Sequence, residues 1–530
     1  MLKFNNMKKT SYLYLIMFSS ILIGFILGRY EGFISNYGKQ KNVDRLSQLI
    51  NYLDKDYVDK IDTDSLVGQV IEDIIEELDP HSVYIPSKDT QIISENMKGN
   101  FVGIGVSFFM IRDTIAVVRV LEKGPSEKAG IRSGDRILMA DRDTLFNKKI
   151  SSESVVARLK GNSNSPVELK IYRKLDDSIY NFKIVRASVP LPSISASYMV
   201  NDQTGYLKIN RFSQTTFYEF EKSLENLISQ KMENLILDLR GNPGGYLLPA
   251  KQIADSFLKS GKPIVIVESK NGKREKTISS NQSIFENGNL YILVDEQSAS
   301  ASEVVAGAIQ DNDRGWILGR RTFGKGLVQQ QMPLGKGDQV RLTTARYFTP
   351  TGRSIQRPYN DEKRHDYYAE PQNRFNTGEM KDKLKVPVVD SLVFKTPEGR
   401  LVYGGGGIIP DIYLSNKNSI EEEWNDLMLR SNLVNRYAFL EMDKVRKKYN
   451  FNNPAKFYND ELVDQDNFFK SFEKYCLEND FPLKINNKKM IINSIKAYIA
   501  LQLFGENIFT MIINQEDPFI QAALSHLKNS

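Results

Sequence analysis

The sequence predicts a layered α/β protein with helical regions at both ends, and three patterns carry that expectation. Apolar strand-like runs alternate with helical periodicity between about Val189 and Leu414, as in stacked strands and helices. Between Gly103 and Arg186 the pattern changes to short strands punctuated by glycine turns, which marks a separate module. From Asp44 to Leu78, and again from Ser419 onward, apolar residues such as Leu46, Leu49, Ile50 and Leu53 fall at helical spacing.

With 530 residues the chain calls for three or more folding units. A formal charge of +6, with acids and bases interspersed, gives no nucleic-acid footprint. The lone cysteine, Cys476, excludes an intramolecular disulfide and a cysteine-based zinc site, and suits a small buried apolar position. There are only three histidines, His81, His365 and His526, so a histidine-based catalytic triad has few candidates.

Taken in order, Lys3, Lys8 and Lys9 precede an apolar run from about Tyr12 to Gly28, just long enough to span a bilayer. No small-residue cleavage site follows, so an uncleaved signal anchor is expected at 11–29. The basic tail, 1–10, then stays in the cytoplasm and the rest of the chain is placed across the inner membrane, facing the periplasm or extracytoplasmic side. Residues 30–99 are expected to be a helical region. It closes on Leu78-Asp79-Pro80-His81-Ser82-Val83-Tyr84, where His81 reads as structural, ending a helix at Pro80.

The next module, 100–188, contains Gly103-Ile104-Gly105-Val106 and Ala129-Gly130-Ile131-Arg132-Ser133-Gly134-Asp135-Arg136-Ile137-Leu138. It resembles a PDZ domain. The resemblance makes the backbone amides of Gly103, Ile104 and Gly105 a nest for a terminal carboxylate, with an extended peptide pairing on the next strand. A helix over Ile150 to Leu159 would line the groove. Arg173, at the end of a PDZ strand, is either solvated or a reporter of occupancy across a domain contact.

The core, 189–415, holds two glycine-bearing features. Asn234 to Leu239 reads as a buried strand running into Arg240-Gly241-Asn242-Pro243-Gly244-Gly245-Tyr246, a turn that brings backbone amides close to a ligand. The strand Leu290 to Val294 leads into Ser298-Ala299-Ser300-Ala301-Ser302-Glu303 and a helix to about Ile309. A serine there meets the free amides and positive dipole end of a helix. Downstream, Gly324-Lys325-Gly326 nearly completes a phosphate-binding loop, but Gly326 stands where a magnesium-binding Ser or Thr is needed. The residues after it read as a strand. Residues 359–384 look like a surface insertion, and 416–530 like a helical domain left open as either a homodimer interface or a cover for the active site.

Together, the SASASE and TFGKGLVQ stretches resemble the carboxy-terminal processing peptidases, the tail-specific Ser–Lys family S41. Thr349-Pro350-Thr351-Gly352-Arg353-Ser354-Ile355-Gln356 and the LDPHS element also match the family pattern. The resemblance implies a crotonase/ClpP-like ββα spiral core with an inserted PDZ domain. It makes Ser300 the nucleophile, Lys325 the general base and Gln329 its orienting partner. The amides of Gly244 and Ala301 become the oxyanion hole. Neither a metal nor an organic cofactor is implied. The expected substrates are cell-envelope polypeptides with free, apolar C-termini. Two rival functions are a PDZ scaffold on an inactive peptidase fold and a crotonase-like acyl-CoA enzyme.

Overall fold

The computed structural model describes residues 44–359, 364–415, 431–445, 453–459, 465–481, 483 and 488–529. The expected tail and membrane segment, 1–29, lie outside these. Among the described residues no helix is long and apolar enough to cross a membrane. The chain divides after Leu78 into two compact units. In the first, helices cover 44–55 and Thr63–Glu76; the second is capped by Asp62, whose carboxylate accepts from the Ser65 amide at 3.2 Å.

The second unit is mixed α/β. Its central sheet runs Ile194–Met199, Thr204–Ile209, Asn234–Asp238, Asn289–Val294, Trp316–Gly319, Ile412–Tyr413. Only the first pair is antiparallel. Parallel strands need cover on both faces, and Leu235, Ile236 and Leu237 are all fully buried. Helices Thr216–Ser229, Leu247–Asp255 and Ala301–Asp311 pack on one face. On the other lies helix Pro518–Asn529, whose Phe519, Ile520 and Ala523 meet Tyr206, Tyr291, Leu293 and Leu318.

A second sheet orders Val83–Ile85, Asp338–Phe348, Pro263–Ser269 and Arg274–Ile278, and strand Leu327–Gly335 pairs with Asp338–Phe348 as a long hairpin. The 30–99 region is therefore not helical throughout. Its Val83-Tyr84-Ile85 is β-prone and joins this sheet opposite Arg341, Val340 and Gln339. Helix Ser87–Lys98 then leads toward the PDZ strands.

The PDZ sheet orders Val106–Ile111, Thr114–Val120, Asp135–Ala140, Pro166–Arg173 and Ser178–Val185 around a core of Ile115, Ile137, Val155 and Ile171. Helix Ser152–Leu159, capped by Ser151, flanks the groove. Arg173 is not solvated, and it lines a cavity together with Asp443 and Leu503 of the C-terminal helices. It makes two 2.8 Å bonds to buried Asp135 and lies over the Tyr180 ring, inside the PDZ fold. A charged residue ending an exposed-looking strand finds its partner 38 residues away, which local pattern does not reveal.

The C-terminal helices have their own core around Tyr437, Phe472, Cys476 and Ile495. Phe439 packs against PDZ residues Ala116 and Val118, and Asp443 accepts from Arg136 (2.8 Å) and Lys174 (3.0 Å). This domain thus joins the PDZ module to the back of the central sheet.

Candidate active site

The strand Asn289–Val294 ends at a tight turn. Buried Ser298 holds it by donating to the Leu239 carbonyl at 2.8 Å. Ser300 follows with φ 54° and ψ −112°. A non-glycine residue there carries strain of about 1–3 kcal/mol, which persists only if its surroundings impose it. Glycine on the facing turn makes this possible. A Cβ at Gly244, φ +95°, would lie 2.7 Å from the Ala299 carbonyl oxygen and 2.8 Å from Ser300 Cβ.

Helix Ala301–Asp311 starts at the next residue and is buried along its whole length. The amides of Glu303 and Val304 both bond the Ser300 carbonyl, so Ala301 occupies the first turn, where helical geometry leaves amides without internal partners. The far end of the helix is fastened by Arg353, fully buried, which bonds Asp311 Oδ1 at 2.7 Å, Gln310 Oε1 at 2.7 Å and the Tyr403 carbonyl at 2.6 Å. That accounts for the arginine of TPTGRSIQ. The glutamine of the same stretch, Gln356, accepts from the Gly326 amide at 2.8 Å.

Two buried side chains join the serine turn to the lysine loop. The Glu303 carboxylate accepts from the amides of Ser300 (2.8 Å), Gly324 (2.7 Å) and Lys325 (2.9 Å), and from the Thr322 hydroxyl (2.5 Å). Burial pushes its carboxyl upward, and these four donors oppose that push. Tyr347 Oη shares its proton between the carbonyls of Lys325 (2.7 Å) and Ser300 (3.1 Å). Sequence reasoning assigned neither residue a role. Glu303 at the third helical position after a serine was the available signal, as half of a capping box.

Lys325 Nζ donates to Gln329 Oε1 at 2.7 Å. Burial, and then the nearby Arg341 guanidinium, lower the lysine to about 8. The Gln329 amide is oriented in turn, since its Nε2 donates to the His81 carbonyl at 2.5 Å. That carbonyl is fixed by an Asx turn in which Asp79 accepts from the amides of His81 (2.8 Å) and Ser82 (2.9 Å) and from the Ser82 hydroxyl (2.6 Å). His81 is structural, and its contribution to this chain of bonds comes from its backbone. Its ring Nε2 meets Tyr367 Oη at 2.6 Å.

Ser300, Ala301, Lys325 and Gln329 line one cleft of about 300 Å³, with Met97, Leu247, Val304 and Leu327 as apolar wall. Neither His81 nor His526 lines it; His526 Nδ1 instead meets Tyr291 Oη at 2.8 Å. The choice of Gly244 as an oxyanion donor requires correction for this structure. Its N–H donates to Asn242 Oδ1 at 2.9 Å, and it is Gly245 that lines the cleft. Successive amides of a glycine turn point in different directions, and sequence does not say which faces outward.

Residues 359–384 also differ from the surface insertion expected. Their described part includes helix Arg364–Asn376, with Arg374 and Glu379 buried. Arg374 donates to the Arg321 carbonyl at 2.7 Å, and Arg321 pairs with Glu379 and Glu370. Three of the charges that made this stretch look solvated, Glu370, Arg374 and Glu379, are thus compensated against the loop that carries Lys325. Among the described residues, none of the C-terminal domain lines the cleft.

The PDZ nest and groove form a second cavity, about 260 Å³, lined by Gly103, Ile104, Gly105, Val106, Phe108 and Val156. Helix Ser87–Lys98 flanks it, and Glu95 pairs with Lys160 at its edge. The Ile104 side chain points into the PDZ core.

Fold and cleft define a serine peptidase carrying a PDZ domain. Family models agree: residues 203–361 match peptidase family S41, 102–184 match the PDZ domain, and 424–505 match a family of unknown function. The chain is 31% identical over 341 residues to the carboxy-terminal processing protease CtpB of Bacillus subtilis, covering 62% of this chain and 70% of that one. It is 33% identical over 326 residues to the carboxy-terminal-processing protease of Bartonella bacilliformis, covering 60% and 73%. Among solved structures, the photosystem II D1 C-terminal processing protease aligns at 25% identity and TM-score 0.36, over 69% of this chain and 86% of that one. The chain belongs to the carboxy-terminal processing proteases of family S41, which are serine peptidases.

Proposed function

We propose that Ser300 and Lys325 are the nucleophile and general base of this protease, with Gln329 orienting the lysine. The observation that carries the reading is a lysine lowered to about 8, bonded to Gln329 in the cleft it shares with Ser300. An ammonium cannot accept a proton, and a base is most effective with its pKa near the working pH. Neutral Lys325 takes the Ser300 proton as Oγ attacks the peptide carbonyl. The Ala301 amide, with that of Gly245, stabilises the oxyanion. Lys325 then protonates the departing amine, and water releases the acyl group from Ser300.

The PDZ groove takes the free, apolar C-terminus of the polypeptide and presents upstream sequence to the cleft. In this reading the chain is divided as 100–188 for recognition and 189–415 for chemistry, the latter a crotonase/ClpP-like spiral of ββα units. The apolar segment at 11–29 anchors the enzyme in the cytoplasmic membrane, so its substrates are envelope proteins. The test is incubation of the protein with an unfolded polypeptide, with and without Ser300→Ala and Lys325→Arg, followed by mass spectrometry of the products. Retained cleavage in either variant would refute the dyad.

A further inference from the structure

Arg341 differs from the arginines that brace the serine turn and the lysine loop. Arg240, Arg321, Arg353 and Arg374 each pair with a carboxylate. Arg341, on strand Asp338–Phe348 opposite Gln331 and Val83, lines the same cleft as Ser300, Lys325 and Gln329. Among the described residues, no hydrogen bond or ion pair engages its guanidinium. It is partly withdrawn from water, and that burial lowers its affinity for a proton. The same positive charge works against protonation of Lys325.

A partly desolvated cation without a counter-ion is unfavourable, and folded proteins keep such groups mainly where a ligand completes them. The guanidinium fork matches a carboxylate in two parallel hydrogen bonds. Lys325 also lines the cleft, but it is bonded to Gln329 and must lose its charge to act as the base; the wall nearby is otherwise apolar (Met97, Leu247, Val304) or amide (Gln331), so Arg341 is the lasting positive charge there.

We propose that Arg341 is a specificity residue that pairs with a carboxylate of the bound peptide close to the scissile bond. This rests on the proposed peptidase reading and adds a substrate class to it. The carboxylate is either an acidic side chain or the terminal carboxylate of a short departing segment.

The test uses the full chain and two matched peptide pairs sharing one cleavage site. One pair, amidated at the C-terminus and so unable to use the PDZ nest, differs by Asp against Asn near the cleavage site. The other differs by a free against an amidated terminus a few residues beyond it. Each is assayed for kcat and KM with the wild-type protein, Arg341→Gln and Arg341→Lys. Binding is measured separately with Ser300→Ala, alone and combined with Arg341→Gln, by fluorescence anisotropy.

One pair should favour its carboxylate member by about tenfold or more, mainly in KM, and the responding pair identifies the source. Arg341→Gln should collapse that ratio toward one, while Arg341→Lys, which keeps the charge but not the fork, retains part of it. Equal ratios in the wild-type protein and Arg341→Gln, in both pairs and in binding, would overturn the subsite. Selective binding that depends on Arg341 in a protein that cleaves nothing would instead refute the peptidase reading and leave the subsite standing.

Discussion

The cleft that holds Ser300 and Lys325 and the PDZ groove are of similar size, about 300 and 260 Å³, yet they are built on opposite principles. The cleft is held by buried polar side chains. Glu303 and Tyr347 between them bond backbone groups at Ser300, Gly324 and Lys325. The groove is lined mainly by apolar side chains such as Phe101, Phe108, Val156 and Leu159 on an ordinary strand and helix, with the Glu95–Lys160 pair at its edge. Chemistry needs two groups fixed within a fraction of an ångström, and hydrogen bonds to backbone supply that direction. Recognition of varied C-termini needs surface that tolerates exchange, and apolar contact has no preferred direction. Substitutions should therefore fail abruptly in the first region and by degrees in the second.

The sharpest contrast comes from the dyad. Ser300→Ala and Lys325→Arg should each lower kcat/KM by about a thousandfold or more without unfolding the protein, as followed by circular dichroism and peptide cleavage. Activity in the arginine variant would show that position 325 supplies charge and not a base.

Glu303→Gln comes next. It keeps the volume but turns one acceptor into a donor facing amide donors. A stability loss of about 2–4 kcal/mol is expected in urea unfolding, together with a fall in kcat, since unpaired buried donors are costly. A variant as stable and as active as the wild type would remove the basis of the contrast.

The pH dependence isolates Lys325. Activity should rise on a limb near about 8 as the ammonium loses its proton. The folded lysine binds its proton less tightly than the unfolded one, so folding is penalised below about 8, and the penalty fades as pH rises toward the unfolded value of 10.5. Lys325→Met should accordingly be more stable than the wild type at pH 7, by up to about 3 kcal/mol, with the gap closing at alkaline pH. Thermal melts at several pH values measure it. His81→Asn should change turnover little, because the group that holds Gln329 is the backbone carbonyl.

The smallest effect belongs to the groove. Val156→Asp should raise KM for a free-acid peptide a few-fold, about 1 kcal/mol, and leave kcat nearly unchanged. A comparable fall in kcat would mean that docking at the PDZ domain completes the cleft.

This contrast also governs how much could be read in the sequence. That Ser300, Lys325 and Gln329 would be carried on a turn and a strand was legible because each sits in a short motif, and the structure brings all three to one cleft. Strands such as Thr204–Ile209 and Asn234–Asp238 were legible because parallel strands, buried on both faces, are continuously apolar. The supports were not. Tyr347 reaches the site from 47 residues beyond Ser300, and the His81 carbonyl meets Gln329 across 248 residues. Arg374, within a charged stretch, gave the signature of solvated surface while being buried against the lysine loop. Local pattern reports which face of an element is apolar, but not which distant polar group will compensate a buried charge.

The spacing of these supports has a consequence for the enzyme's birth. The last central strand, Ile412–Tyr413, pairs with Leu318 and Gly319, and Arg353 at the end of the serine helix bonds the Tyr403 carbonyl. When Lys325 is added to the growing chain, the 88 residues up to Tyr413 that complete this framework have not yet been made. At about 5–20 residues per second they arrive several seconds later. A nascent chain therefore carries its serine and lysine well before it has the architecture that could make them reactive, an interval in which a protease in the making is harmless to the polypeptides around it.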